Sequence, residues 1–317
     1  MDLIFTNSQR VDQGVFSAYA LDMSYGAEEN DFELILGANE PMLETDSVIF
    51  MEGTEYGGMM GGLKTSTNGD TITYIGRTWH GIINSKVIEP DSGEDYLIVS
   101  GDANEVIAFI VARLGLSGLF VAVDKLSGIN ISGYQFHRYC KGYDGLRRML
   151  ADNGAKLKIS FENRRVVLAA VPIVDYSESP IDDDIAVLSV ESHSDKVNHL
   201  ICLGAGNLAG REVIHLYVDQ FGRIGDVQHF TGLAEITDTY ENSNSDNLRS
   251  DGIQRLKELR NTDKAEMALS ETETIYDIGD IVGATEHRSG IKVTEMVTQK
   301  IVKINNGVVS TEYKTGG

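Results

Sequence analysis

Three glycines, Gly204, Gly206 and Gly210, follow an apolar run at Leu200–Leu203. Of all the spacings in the chain, this one most invites a chemical reading. G-x-G-x-x-x-G is a loose form of the dinucleotide fingerprint, in which a turn and the N-terminus of a following helix hold a pyrophosphate. The residues that follow do not supply that helix. Arg211-Glu212-Val213-Ile214-His215-Leu216-Tyr217-Val218 alternates and carries β-branched side chains, which is the pattern of a strand. The expectation is a glycine turn between two strands, with no phosphate or nucleotide bound and the chain extended from Arg211 onward.

Other candidates thin out in the same way. His137-Arg138-Tyr139-Cys140 offers two metal-ligand types. At i and i+3 on a strand end they point to opposite faces, and no second His/Cys pair has ligand spacing. Cys202 lies in an apolar run and reads as a small core residue. No serine sits in G-x-S-x-G, and Ser100 and Ser117 read as turn residues at element ends. Carboxylates cluster at Glu28-Glu29, Asp182–Asp184 and Asp277–Asp280. Paired acids can cleave glycosides only when they flank a cleft and burial raises one pKa. All three clusters read instead as exposed turn acids, with Asp182–Asp184 in a linker and Asp277–Asp280 too short for a calcium loop. Trp79-His80 could stack or catalyse, but Trp79 stands at helical spacing with Ile82 and Ile83, which marks the anchor of a small core. No catalytic, cofactor-binding or metal residue is assigned, and the expectation is a protein that is not an enzyme and carries no cofactor.

The elements that would position these residues are mostly strands. Residues 15–25, 31–36, 47–51, 56–67 and 70–76 read as strands between turns, closed by a short helix over Arg77–Ser85. Residues 96–179 form a compact α+β unit. Asp102 caps a helix through Leu114, Gly115 ends it, a second helix spans Tyr143–Asn153, and short antiparallel strands include a hairpin around Glu162-Asn163. Pro180–Asp184 reads as a domain boundary. Strands follow at Ala186–Glu191, Asn198–Leu203 and Arg211–Asp219, then a helical pattern within Leu248–Ala268 and a return to strand at Glu266–Ser270. Ile275–Val282, Gly290–Gln299 and Lys300–Tyr313 return to β, with Asn305-Asn306-Gly307 as a hairpin turn.

The bulk composition narrows the function classes. Of 317 residues, 27 are Lys or Arg and 48 are Asp or Glu, for a net charge of −21. Such a surface repels nucleic-acid phosphate and argues against sequence-reading DNA binding, yet it suits a surface past which DNA slides. The two cysteines are too few for a disulfide framework, and the expectation is that both are reduced. Neither a signal peptide nor a run of 18 apolar residues is visible, so no membrane span is expected.

Several pieces, taken in order, resemble the tail hub proteins of bacteriophages and prophages. Glu52-Gly53-Thr54-Glu55-Tyr56-Gly57-Gly58 followed by Thr73-Tyr74-Ile75-Gly76-Arg77-Thr78-Trp79-His80-Gly81-Ile82-Ile83 looks like the first domain of that family. Val197-Asn198-His199-Leu200 with its glycine turn and Arg211 resembles the opening of a later domain. Tyr276-Asp277-Ile278-Gly279-Asp280-Ile281-Val282 and the closing hairpin at Ile301–Tyr313 resemble the terminal barrel. The resemblance implies an α+β chain with two tube-like antiparallel β-barrels and two intervening or inserted small α+β domains. The barrels would be residues 1–95 and residues 180–204 plus 271–317; the small domains would be 96–179 and 205–270. It further implies a homotrimeric ring that adapts a six-fold tail tube to a three-fold tip and sits in the virion tail or a tail-like particle. Its partners would be tail tube or distal tail protein, tape measure protein, and spike or fibre proteins, with DNA passing through the lumen. Some relatives carry a cell-wall hydrolase or peptidase domain. A cell-wall hydrolase or peptidase component of the tail tip is therefore the second expectation, set against a sequence that stops at Gly317 after the last hairpin with no such fused domain expected. A receptor-binding β-module, suggested by Trp79 and the tyrosines, is the third expectation.

Overall fold

In this computed structural model the described residues are 2–37, 39–66, 69–178, 186–191, 196–243, 245, 247–260, 264–270, 274–285, 290, 292–305 and 307–316. They form two compact units, residues 1–188 with 266–317 and residues 189–265.

The first unit is built on a 12-stranded sheet. Its order is Ala186–Glu191, Lys264–Ser270, Val308–Thr315, Lys292–Asn305, Tyr19–Gly26, Asp31–Gly37, Thr71–Thr78, Gly57–Thr65, Val48–Phe50, Ile4–Thr6 and Asp12–Val15, with Ile281–Thr285 paired to Lys292–Asn305 off this path. Alternation selects the buried face: along Asp31–Gly37, Phe32, Leu34 and Leu36 are buried while Asp31, Glu33 and Ile35 face out. Strands expected in two separate barrels lie side by side, since Gln299–Asn305 pairs antiparallel with Ala20–Gly26. Gly58 and Gly76 permit close strand packing. A Cβ on Gly58 would run into the Arg77 carbonyl, and one on Gly76 would meet the Phe32 ring at 2.5 Å.

Helix α1, Trp79–Asn84, follows directly from a strand. Thr78 caps it by accepting from the Gly81 amide. Helix α2, Ala103–Arg113, is capped by Asp102, which accepts from the Asn104 amide, and Gly115 with φ +70° ends it. Helix α3, Gly142–Ala151, buries Leu146, Met149 and Leu150. One core holds all three, joining Trp79, Ile107, Ile110, Leu146 and Phe161 to Val48 and Phe50 of the large sheet. The boundary expected at residue 95 therefore separates elements that share a core. One strand pairing also differs from expectation: Phe120–Ala122 runs parallel to Val166–Leu168, because the chain leaves α3 into the oppositely directed Ala155–Glu162 and the hairpin after it turns the chain round again.

The second unit is a four-stranded sheet in the order Ile224–Gly225, Val213–Val218, His199–Leu203, Thr237–Glu241. Helix α4, Leu248–Arg260, supplies Leu248 and Leu256 to a core with Leu200, Cys202, Leu216 and Val218. Gly252 lets the helix approach, since a Cβ there would collide with the Cys202 sulfur. The strand His199–Leu203, expected to belong with residues 271–317, pairs inside this unit instead, antiparallel to Val213–Tyr217 and parallel to Thr237–Glu241. The helical pattern within Leu248–Ala268 ends at Arg260, and the strand expected at Glu266–Ser270 is present, beginning at Lys264.

Candidate functional site

The glycine loop is a hairpin connection. Its amides are used within the loop: Gly204 N donates to Glu212 O at 2.9 Å, Glu212 N to Ala205 O at 2.8 Å and Gly210 N to Asn207 O at 3.1 Å. Gly206 has φ +98°, and a Cβ there would meet the Gly210 carbonyl. Leu208–Gly210 forms a single 3-10 turn and Val213–Val218 is a strand, so the residues that follow the glycines do not supply the helix of the fingerprint. Arg211 closes the loop, donating from Nε to the Gly204 carbonyl at 3.1 Å and from the guanidinium to Glu241 at 2.5 Å.

His137 is exposed and Cys140 half-buried, joined only through the backbone, with Cys140 N donating to His137 O. Both cysteines are free thiols, and burial pushes each above its ordinary pKa. Cys202 is fully buried in the second core. Ser117 lies in a turn; Ser100 lies within the strand Ile98–Asp102, where its hydroxyl accepts from the Gly133 amide. Glu28-Glu29 is an exposed turn. Asp182–Asp184 lies outside the described residues.

Asp277–Asp280 corrects the expectation of exposed acids. Asp280 is buried, and Lys156, itself buried, places Nζ 2.6 and 2.7 Å from its two carboxylate oxygens and 2.9 Å from Asp277 Oδ2. Asp280 also accepts from the Val174 and Asp277 amides. Burial alone would raise the Asp277 carboxyl, but the Lys156 hydrogen bond and charge hold it below its ordinary value. Burial likewise opposes the Lys156 ammonium, and the two carboxylates overcome it and raise its pKa. The local sequence cannot reveal this pair, because the cation comes from a strand 124 residues away. Residues 275–280, expected as strand, form the turn that carries these acids, and the ladder begins at Ile281.

A second buried cation, Lys300, is 2 % exposed and donates to Glu55 at 2.6 Å. The rings of Tyr25, Tyr56 and Tyr313 surround its ammonium at 6.0, 6.0 and 5.8 Å. His80 stacks on Tyr25 at 4.6 Å and meets Tyr143 edge-on at 5.0 Å. Burial, reinforced by the Lys300 charge, lowers its pKa to about 3. His80 is thus a neutral core ring. Lys300, Glu55 and the tyrosines act as an internal rivet through the large sheet, consistent with Trp79 as a core anchor.

Geometry of this kind holds a sheet together without offering a cleft, so the architecture is the informative feature. No family model and no curated protein matches the chain. Solved structures do. A prophage tail protein, gp18, from Listeria monocytogenes matches with TM-score 0.55 and 13% identity, over 99% of this chain and 94% of its own. The 43 kDa tail protein of prophage MuSo2 from Shewanella oneidensis matches with TM-score 0.56 and 11% identity, over 100% and 98%. A chain of the phage P2 baseplate in its activated conformation matches with TM-score 0.53 and 10% identity, over 100% and 99%. This chain has the fold of phage tail proteins. The likeness runs the whole length, as the resemblance carried by the sequence implies.

Two surfaces of this tail-protein fold remain chemically distinctive. On the outward face of the large sheet, a depression of about 610 Å³ is lined by Asp22, Glu29, Asp31 and Glu33 together with Lys64 and Arg77. Burial and the neighbouring Glu29 and Glu33 raise the Asp31 carboxyl. Burial also raises Asp22, against the opposing charge of Lys303. In the second unit, His199, His215 and Glu235 form a hydrogen-bonded line. That line was visible in principle: His199 and His215 lie on two strands expected from the sequence, but their shared face follows only from the hairpin register. Among the described residues no helix is long and apolar enough to cross a membrane.

Proposed function

We propose that this protein is the structural hub of a phage tail or phage-tail-like particle. On this reading it forms a homotrimeric ring at the end of the tail, adapts the six-fold tube to a three-fold tip and has no catalytic role. The observation that carries the reading is the full-length likeness to two prophage tail proteins and a phage P2 baseplate chain. The β-rich stretches, residues 1–95 and residues 266–317, would together supply the tube-like part of the ring, with residues 96–179 and 189–265 as smaller domains. Its neighbours would be tail tube or distal tail protein, tape measure protein, and spike or fibre proteins.

Surface charge fits a conduit. The chain carries −21 overall, and four carboxylates line the depression on the outward sheet face. A lumen lined this way lets DNA pass without adhesion. Cryo-electron microscopy of particles carrying an epitope-tagged chain tests the assignment. Three-fold density for this chain at the tube end, with Asp22, Asp31 and Glu33 facing the channel, is the expected result. Density on the outer sheath, or a copy number that is not three-fold, would overturn it. Zymography on peptidoglycan separates the hydrolase alternative, since clearing by the pure protein would contradict a purely structural role.

A further inference from the structure

The line of His199, His215 and Glu235 lies on the face of the four-stranded sheet opposite α4, whose core takes Leu200, Cys202 and Leu216. His199 is opposite Tyr217 and His215 opposite Ile201, so the two histidines are diagonal neighbours on adjacent strands. Glu235 Oε1 lies 2.7 Å from His199 Nδ1 and is held by Gln228 Nε2 at 2.9 Å. The Thr237 hydroxyl is 3.3 Å from the same nitrogen. The Tyr217 ring stacks on His199 at 4.4 Å. His199 is therefore oriented on every side, and its Nε2 faces His215 Nδ1 at 2.8 Å.

The protonation pattern follows from the partners. A carboxylate can only accept, so His199 Nδ1 carries a hydrogen, and in the neutral ring Nε2 then presents a lone pair. This is the arrangement that prepares an imidazole to ligate a metal, with a carboxylate behind the ring fixing its tautomer. His215 is exposed. Its proton can pass from Nδ1 to Nε2 through solvent with no net loss, which turns a second lone pair toward the first. At metal–nitrogen distances of about 2.0–2.1 Å, tetrahedral geometry needs nitrogens about 3.4 Å apart, a spread of about 0.6 Å from the present contact.

We propose that His199 Nε2 and His215 Nδ1 chelate a divalent transition-metal ion of the imidazole-preferring class, zinc, nickel or copper, with Glu235 as the positioning carboxylate. Among the described residues no three His, Cys, Asp or Glu side chains converge as a metal group. The remaining positions belong to water, and the site is open and exchangeable, unlike a closed structural zinc site.

Titration calorimetry of tag-free protein with zinc chloride, supported by the visible spectrum of the cobalt form, tests this. One bound equivalent is expected, at least tenfold weaker in His215→Ala and about 10–100-fold weaker in Glu235→Gln, and unchanged in His137→Ala. Circular dichroism of each variant excludes unfolding as the cause. Zinc affinity that survives His215→Ala, or no binding by the folded wild-type protein at 100-fold excess zinc, would overturn the proposal; so would equal loss in His137→Ala.

Discussion

His80 makes the chain acid-sensitive in a way that can be isolated. Its pKa falls from 6.5 to about 3 in the folded protein, first through burial and then through the Lys300 charge. The unfolded chain therefore takes up the proton first. The contribution of the neutral ring is complete above about pH 7 and is lost as pH falls from 6.5 toward 3. At about 1.4 kcal/mol per pH unit, acidifying to pH 4.5 removes roughly 2–3 kcal/mol. Urea unfolding followed by fluorescence reports on this region, because Trp79 is the single tryptophan, adjacent to His80 and fully buried. The comparison is His80→Phe, which keeps a ring stacked on Tyr25 but cannot titrate. Other groups contribute equally to both proteins, so wild type should lose roughly 2–3 kcal/mol more than the variant between pH 7 and pH 4.5. Equal losses would refute the assignment of His80 as a buried neutral ring.

Lys300→Met should cost about 3–5 kcal/mol by stranding Glu55, and adding Glu55→Gln should recover part of it; thermal or urea unfolding that shows no recovery would contradict the buried pair. Asp280→Asn should destabilise by a similar amount, about 3–5 kcal/mol, because Lys156 keeps only Asp277, and an unchanged melting temperature would be inconsistent with the geometry. Gly58→Ala should cost about 1–3 kcal/mol through overpacking against the Arg77 carbonyl, whereas Gly53→Ala, with open space but φ +75°, reports backbone strain alone. Asp31 should protonate at higher pH than a free aspartate, as read by carbon NMR of its carboxyl group, and a midpoint at or below the ordinary value would refute its raised pKa.

Local physics made much of this fold legible. Asp102 and Gly115 bracket α2 because a capping carboxylate and a left-handed residue are written into the sequence at those places. The strand after Gly210 followed from alternation alone. What the sequence concealed was long-range. Lys156 and Lys300 look like surface lysines until the partners that bury them, Asp280 and Glu55, are known. The same limit moved His199–Leu203 out of the expected second barrel. Its apolar pattern marks a strand but not which strands it joins. Parallel pairing of Phe120–Ala122 was hidden for the same reason, since both directions of pairing read alike in three residues.

Pairing between Gln299–Asn305 and Ala20–Gly26 has a consequence for synthesis. Gln299 and Ser24, hydrogen-bonded across these strands, are 275 residues apart. At about 5–20 residues per second, a ribosome needs roughly 15–55 s to make the intervening segment. Throughout that interval the nascent chain holds Tyr19–Gly26 with one row of backbone amides and carbonyls unpaired. That edge is open to any passing strand, including one from a neighbouring polysome product. The large sheet is therefore completed only after release of its late strands from the ribosome, and a cell that makes this protein quickly must guard the edge until they arrive.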